Sequence, residues 1–286
     1  MKVDIMKVGL IGFGKTGRSV ATVLLNNKDV QLQWVVRRSH KLEHRSVPEF
    51  LGIESDEPGL IYSSSDITCD QLLSEQPVDV LIDFSSQDGI DYYADAVIKH
   101  KVNVVSAISA YPKNRVEQIM RLGDHVKSLW SPNITLGINF LILAGKVLKD
   151  IDPKLDIDII EEHFREKPEV SGTAVKIAQA LDVSDSEIKS IRAGGIIGNH
   201  EVLFGFPYQV VRLRHESISR EAFGNGAVFA AQHLIEQDTG FYSLEELMHP
   251  YFAELAKSRK AVLPSRENSF RHKVASGMRK IANLIE

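Results

Sequence analysis

The segment Lys7-Val8-Gly9-Leu10-Ile11-Gly12-Phe13-Gly14-Lys15-Thr16-Gly17-Arg18 constrains the fold more than any other. An apolar run of strand character enters a Gly-x-Gly-x-x-Gly turn, and a helical pattern from Arg18 to Leu25 leaves it. Gly12 permits the tight turn, Gly14 admits a pyrophosphate close to the backbone, and Gly17 lets the helix pack on the strand. With Lys15 and Thr16 they form a candidate phosphate cradle. The free N–H groups of the first helical turn face the phosphates, and the helix dipole favours their charge. Such a turn can also close an ordinary strand–helix corner, but its placement here favours a dinucleotide site.

The next strand, Val30 to Val36, indicates which dinucleotide. A carboxylate about twenty residues past the glycines would suit a free ribose 2′-hydroxyl. The chain offers Arg37-Arg38 instead, followed by Ser39, His40, Lys41, His44 and Arg45. Guanidinium forks match a 2′-phosphate, so NADPH is the expected cofactor, with NADH possible. A solvated basic loop is the other reading. His40 and His44 have a helical ligand spacing without a third ligand, so no metal is expected.

With 286 residues the chain can hold one large or two modest domains. Its 43% hydrophobic and 25% charged residues are those of a soluble globular protein. A net charge of −4, without a long basic face, argues against nucleic acid as a partner. The single cysteine, Cys69, excludes an intrachain disulfide and fits a reducing compartment. No apolar run reaches the roughly 20 residues of a membrane span, and the N-terminal run lacks the layout of a signal peptide. The expectation is a cytoplasmic protein with a small-molecule substrate and no membrane partner.

The first 130 or so residues alternate strand and helix patterns, the mark of a doubly wound sheet. Val78 to Phe84 and Val102 to Ala107 read as strands, and Ile90 to His100 and Arg115 to Leu129 as helices. Ligands of such sheets lie at the carboxyl ends of the strands. Ser85 and the turn from Ser106 to Ser109 are therefore expected near the nicotinamide, unless they serve turn chemistry alone.

After Trp130 the character changes. Ser131 to Asn139 reads as a connector and Phe140 to Leu148 as an apolar helix. From Leu155 to Phe164 the chain alternates, with Leu155, Ile157 and Ile159 on one face and Asp156 and Asp158 on the other. Glu161 and His163 continue the apolar parity, so His163 is expected to project from the covered side. Glu187 to Ile197, Glu201 to Phe206 and Gln209 to Arg214 read as strands, and Ala222 to Ile235 as an apolar helix. The tail after Glu245 is amphipathic and charged, interrupted by Pro250 and Pro264. The expected architecture is α/β: a Rossmann-type doubly wound parallel sheet plus a second α+β domain with an open mixed sheet. The expected divisions are 1–133 for the dinucleotide, 134–215 for substrate and oligomerisation, and 216–286 as a return to the first domain and tail.

Function-capable groups are densest from Glu161 to Ala174. A strand delivers His163, a short loop delivers Lys167, and Ser171-Gly172-Thr173 opens the helix running to Leu181. That opening suits a substrate carboxylate, and the cationic donors beside it suit protonation of an imine nitrogen during hydride transfer. Packing alone for His163 and simple helix capping for Ser171 are the alternatives.

In these residues the chain resembles the dihydrodipicolinate reductases, over roughly Lys7 to Leu234. The resemblance rests on the glycine turn, Asp83-Phe84-Ser85, Ser131-Pro132-Asn133 with Gly137 and Asn139, Glu161 with His163 and Lys167, and Ser171-Gly172-Thr173-Ala174. It continues through Arg192 and Gly194, Gly198 with His200, and His215 to Ala231. It implies hydride transfer from NAD(P)H to a cyclic unsaturated imine dicarboxylate, in lysine and diaminopimelate biosynthesis. It further implies His163 as acid/base, Lys167 as proton donor, and Ser171, Gly172 and Thr173 as carboxylate holders. Phe84 and Asn133 join the cofactor contacts by the same resemblance, which also implies a homotetramer assembled through the second sheet. Three departures stand out. Phe164 replaces a second histidine, Pro168-Glu169-Val170 shortens the lysine loop, and Ser106-Ala107-Ile108-Ser109 replaces a Gly-Thr-Thr-Gly turn. A related oxidoreductase with another substrate, or a non-catalytic NADPH-binding protein, is the alternative function.

Overall fold

The computed structural model describes residues 5–42 and 44–262, with side chains to residue 253. Strand β1 (Met6–Ile11) is buried along its length except at Lys7. It lies between β2 (Val30–Arg37) and β4 (Val80–Asp83) and pairs in parallel with both. A strand covered on both faces must be apolar throughout, and Val8, Leu10, Val80, Leu81 and Ile82 are fully buried. Strands β3 (Leu60–Ser63), β5 (Asn103–Ser106), β6 (Lys127–Trp130) and β11 (Gly240–Tyr242) complete an all-parallel sheet of order β11-β6-β5-β4-β1-β2-β3. The chain reverses its direction of winding between β1 and β4, the switch point at which such sheets open a crevice.

Helix α1 (Lys15–Leu25) buries Val20, Ala21, Leu24 and Leu25, an apolar stripe of helical period. Helices α2 (Val47–Leu51), α3 (Cys69–Glu75), α4 (Ile90–His100) and α5 (Lys113–Leu122) make the other crossovers. The single helix expected from Arg115 to Leu129 is two elements. Helix α5 ends at Leu122 and β6 begins at Lys127. The break follows from packing: a Cβ on Gly123 would lie 2.6 Å from the Phe241 nitrogen, so β11 passes closely there. Fully buried Ser128 and Leu129 are committed to pairing with β5 and β11.

Helix α6 (Leu136–Ile151) begins four residues before the expected Phe140. It leads to a second sheet of β7 (Asp156–His163), β8 (Ile188–Arg192), β9 (Asn199–Phe206) and β10 (Gln209–Glu216). The order is β10-β9-β7-β8, with β7 and β8 parallel and the other pairs antiparallel, a mixed sheet. Helix α6 and α7 (Gly172–Ala180) cover one face, where Ile142, Ile159, Ile177, Val202 and Phe204 form a dry core. Ile159, Glu161 and His163 share that covered parity along β7 and are buried, whereas Asp156 is exposed.

Helix α8 (Glu221–Leu234) then packs on α1, and β11 joins the edge of the first sheet. The approach of α8 is close: a Cβ on Gly226 would sit 1.7 Å from the Ile134 carbonyl oxygen, which only glycine accommodates. Among the described residues, those up to Leu247 form one compact unit, and those from Met248 belong to a second. Helix α9 (Leu244–Val262) contains Pro250, and Pro264 lies outside the described residues.

Candidate active site

The glycine turn adopts a shape that demands its sequence. Gly12 has φ of +99°, and a Cβ there would meet the Phe84 carbonyl at 2.5 Å. A Cβ on Gly17 would lie 2.1 Å from the Gly12 oxygen, so this residue allows helix and turn to touch. Gly14 has nothing within 4 Å of its Cβ position, which leaves the outer side of the turn open. Among the described residues no side chain caps α1 and no acidic residue occupies its first turn, so its N–H groups and dipole face that opening uncompensated.

Three cavities adjoin along the carboxyl edge of the first sheet. One of about 480 Å³ is lined by Gly12, Phe13, Gly14, Arg37, Arg38 and Phe84 among others. The second, about 450 Å³, shares Phe84 and Ser85 with it and adds Thr16, Ser109 and Phe223. The third, about 410 Å³, shares Ser109 and Pro132 with the second and is lined by Asn133, His163, Lys167, Ser171, Gly172, Thr173 and Lys176. Joined by these shared lining residues, they make a trough in series from the arginine loop to the second sheet. The Arg37 guanidinium also donates to the Lys41 carbonyl at 3.0 Å, holding the loop in a curl. His40 lies 2.7 Å from Asp66, and the described residues contain no cluster of three His, Cys, Asp or Glu placed to hold a metal.

Three of the expected residues lie outside the trough lining. Lys15 is exposed, Gly17 is buried beneath the turn, and Ser106 is fully buried. The Ser106 hydroxyl is 3.0 Å from the Tyr111 hydroxyl, in a network centred on Asp83. Asp83 accepts from the Ser85 amide at 2.8 Å, the Ser85 hydroxyl at 2.6 Å and the Tyr93 hydroxyl at 3.0 Å. Complete burial outweighs these bonds and pushes its pKa up to about 6. The network fixes Ser85 at the trough floor. Its sequence signal is a carboxylate ending an otherwise apolar strand.

The third cavity is organised from below by Glu161, which is fully buried. Arg192 grips both its oxygens, at 2.9 and 2.7 Å, and the Ser190 hydroxyl donates to it at 2.6 Å. His163 Nδ1 lies 2.5 Å from the Glu161 Oε2. Burial would raise the Glu161 pKa, but the bonds from Arg192, Ser190 and His163 prevail and hold it down at about 2. An ionised carboxylate only accepts, so Nδ1 of His163 carries the hydrogen and Nε2 is its exchangeable site. That Nε2 passes over Gly198, where a Cβ would come within 2.9 Å. Arg192 also donates to the carbonyls of Lys167 at 3.0 Å and Glu169 at 2.8 Å. One guanidinium therefore positions both the histidine and the lysine loop.

Beside His163, the buried His200 ring stands edge-on with centroids 5.3 Å apart. Burial first, then the neighbouring His163 and His215, pushes the His200 pKa down to about 3, so it is neutral. Its Nε2 is 2.8 Å from the Ser171 hydroxyl. Ser171 is thus turned away from capping α7, and no side chain caps that helix among the described residues. Asn133 donates to the Thr173 hydroxyl at 2.9 Å and accepts from Thr135, tying the connector to the same helix end. Phe164, by contrast, is exposed and outside the cavity lining.

Two family models match in tandem: Dihydrodipicolinate reductase, N-terminus, over residues 6–134, and Dihydrodipicolinate reductase, C-terminus, over residues 134–248. The chain belongs to the dihydrodipicolinate reductase family. The 4-hydroxy-tetrahydrodipicolinate reductase of Syntrophus aciditrophicus is 27% identical over 263 residues, 83% of this chain and 96% of that relative. That of Buchnera aphidicola is 27% identical over 280 residues, 88% of this chain and all of the relative. The dipicolinate-bound dihydrodipicolinate reductase from Paenisporosarcina sp. TG-14 shares the fold at a TM-score of 0.71 and 21% identity, over 85% of this chain and 99% of that one. The amine dehydrogenase of Mycobacterium smegmatis shares it more distantly, at 0.57 and 11% over 84% and 95% of the two chains. Among the described residues no helix is long and apolar enough to cross a membrane.

The depressed Glu161 pKa carries a stability signature. Its contribution is complete above the ordinary value near 4.5 and is lost as pH falls toward about 2. Urea midpoints of wild type should therefore drop more steeply than those of Glu161→Gln between about pH 6 and about pH 3. Parallel pH dependences would mean that Glu161 is not held ionised by Arg192.

Proposed function

We propose that this reductase converts 4-hydroxy-tetrahydrodipicolinate to tetrahydrodipicolinate, with NADPH as the preferred cofactor, in lysine and diaminopimelate biosynthesis. This reading is carried by the lining residues that successive cavities of the trough share. The glycine turn and arginine loop lie at one end, and His163, Lys167 and the open end of α7 at the other. The residues present fit a dinucleotide: the open side of Gly14, the uncapped α1 and the guanidinium groups all suit phosphate. A bound reduced nicotinamide supplies hydride to the substrate's unsaturated imine.

The chain's own residues supply the rest. Ser171, Gly172 and Thr173 hold a substrate carboxylate with the N–H groups of α7, and Asn133 fixes the angle of that helix end against the connector. Loss of the 4-hydroxyl as water leaves the conjugated imine; hydride gain there drives an electron pair onto the ring nitrogen, which takes a proton, and the resulting enamine tautomerises to the product imine. Lys167, in the cavity lining, is the donor, and His163, oriented by Glu161, supplies acid through Nε2. Glu161 stays ionised throughout and moves no proton itself. Arg37 and Arg38 favour a 2′-phosphate over a free hydroxyl. The completeness of the donor cluster argues against a non-catalytic binding protein.

The proposed organisation is a dinucleotide domain over 1–133, a substrate and assembly domain over 134–215, and a return from 216 onward. Exposed Ile191 and Val210 on the outer sheet support a homotetramer formed there. The cytoplasm is the proposed location.

His163→Gln and Lys167→Ala should each lower kcat about 10²-fold or more, while NADPH affinity measured by fluorescence titration changes little. Loss of cofactor binding in either variant would contradict their place at the substrate end. Arg37→Asp combined with Arg38→Ala should cut the NADPH-to-NADH ratio of kcat/KM by roughly 10- to 100-fold. An unaltered ratio would remove the phosphate role from this loop.

A further inference from the structure

The third cavity contains more positive charge than a single carboxylate and a proton donor require. Two lysines, Lys167 and Lys176, belong to its lining, which includes no Asp or Glu. Lys176 lies on α7, three residues after Thr173 and four after Gly172, so it shares their face one turn deeper. One turn is about 5.4 Å of rise, which separates two anion anchors along one helix.

The surroundings of Lys176 leave it incompletely balanced. Its Nζ is 3.3 Å from Glu245 and 3.4 Å from the Asn139 side-chain oxygen, both at or beyond the long end of hydrogen bonding. Glu245 is already held by Lys146 at 2.9 Å. Two ammonium groups thus share one carboxylate, and only Lys176 of the pair reaches the cavity lining. An ammonium has three donors, so these two contacts leave Lys176 one more.

We propose that Lys176 binds the second carboxylate of the substrate, with the N-terminus of α7 taking the first and Lys167 kept for proton donation. This rests on the dicarboxylate reading given under Proposed function. It makes Lys176 a specificity-determining residue: it selects dicarboxylates over otherwise similar monocarboxylates.

The test compares two planar probes that differ by one carboxylate, dipicolinate and picolinate, binding the NADPH-loaded full-length protein in calorimetry. Wild type should bind dipicolinate more tightly. Lys176→Met should weaken dipicolinate about tenfold or more and leave picolinate within about twofold, the loss of one charge-assisted contact. Lys176→Arg should restore part of the preference. Lys146→Met severs the same Glu245 partnership from outside the cavity and should leave the preference intact. Lys176→Gln keeps a polar partner for Glu245, so it reports the charge even if the methionine variant folds poorly. If Lys176→Met and Lys176→Gln bind dipicolinate as tightly as wild type, or weaken both probes equally, the inference fails alone. If wild type binds neither probe, the dicarboxylate reading fails and takes the inference with it.

Discussion

A guanidinium closed over a buried carboxylate holds this site in shape. Arg192 and Glu161 sit on parallel neighbouring strands of the second sheet, and their pairing reaches outward in two directions. Through Glu161 it sets the tautomer and orientation of His163, and through two carbonyl contacts it sets the path of the Lys167 loop. Such a pair is not primarily a source of stability, because desolvating both charges cancels much of their attraction. Breaking it is another matter: one buried charge left unpaired costs several kcal/mol. The arrangement trades little net stability for an imidazole fixed in both position and tautomer.

The second constraint is topological. The winding reversal between β1 and β4 opens the crevice where the glycine turn and Ser85 meet, and the Asp83 network fixes the floor beneath Ser85. After the second sheet the chain comes back through α8, whose glycine at 226 lies against the connector at Ile134. Connector, α7 and trough floor are thereby linked by contacts rather than by a flexible tether. The electrostatics follow the same line: uncapped helix ends and cations face the trough, while His200 inside the second sheet is kept neutral and directs Ser171 away from capping.

Much of the parallel sheet is legible in the sequence, because buried strands leave continuous apolar runs and β7 leaves a period of two. The parity of Ile157, Ile159, Glu161 and His163 predicts the side from which the histidine projects. What the sequence hides are features decided by distant partners. β6 carries a spacing that passes for the end of a helix, and only its pairing with β5 and β11 makes it a strand. β11 is three residues long, too short for any period. Arg192 lies 31 residues from Glu161, so nothing local marks it as the group that orients the histidine. Ser106 looks like a turn residue at a ligand site, yet a tyrosine from the following loop claims its hydroxyl. Lys176 is one more cation on an amphipathic helix until the cavity shows which way its face turns.

In the proposed reductase, a nicotinamide at the crevice and the donors of the second sheet address the same bound molecule. A crystal structure of the ternary complex with NADPH and dipicolinate would show whether they meet there. The pyridine ring should lie between the nicotinamide and the pair His163 and Lys167, with one carboxylate on the N-terminus of α7. Dipicolinate seated elsewhere, or a nicotinamide turned away from the second sheet, would contradict it.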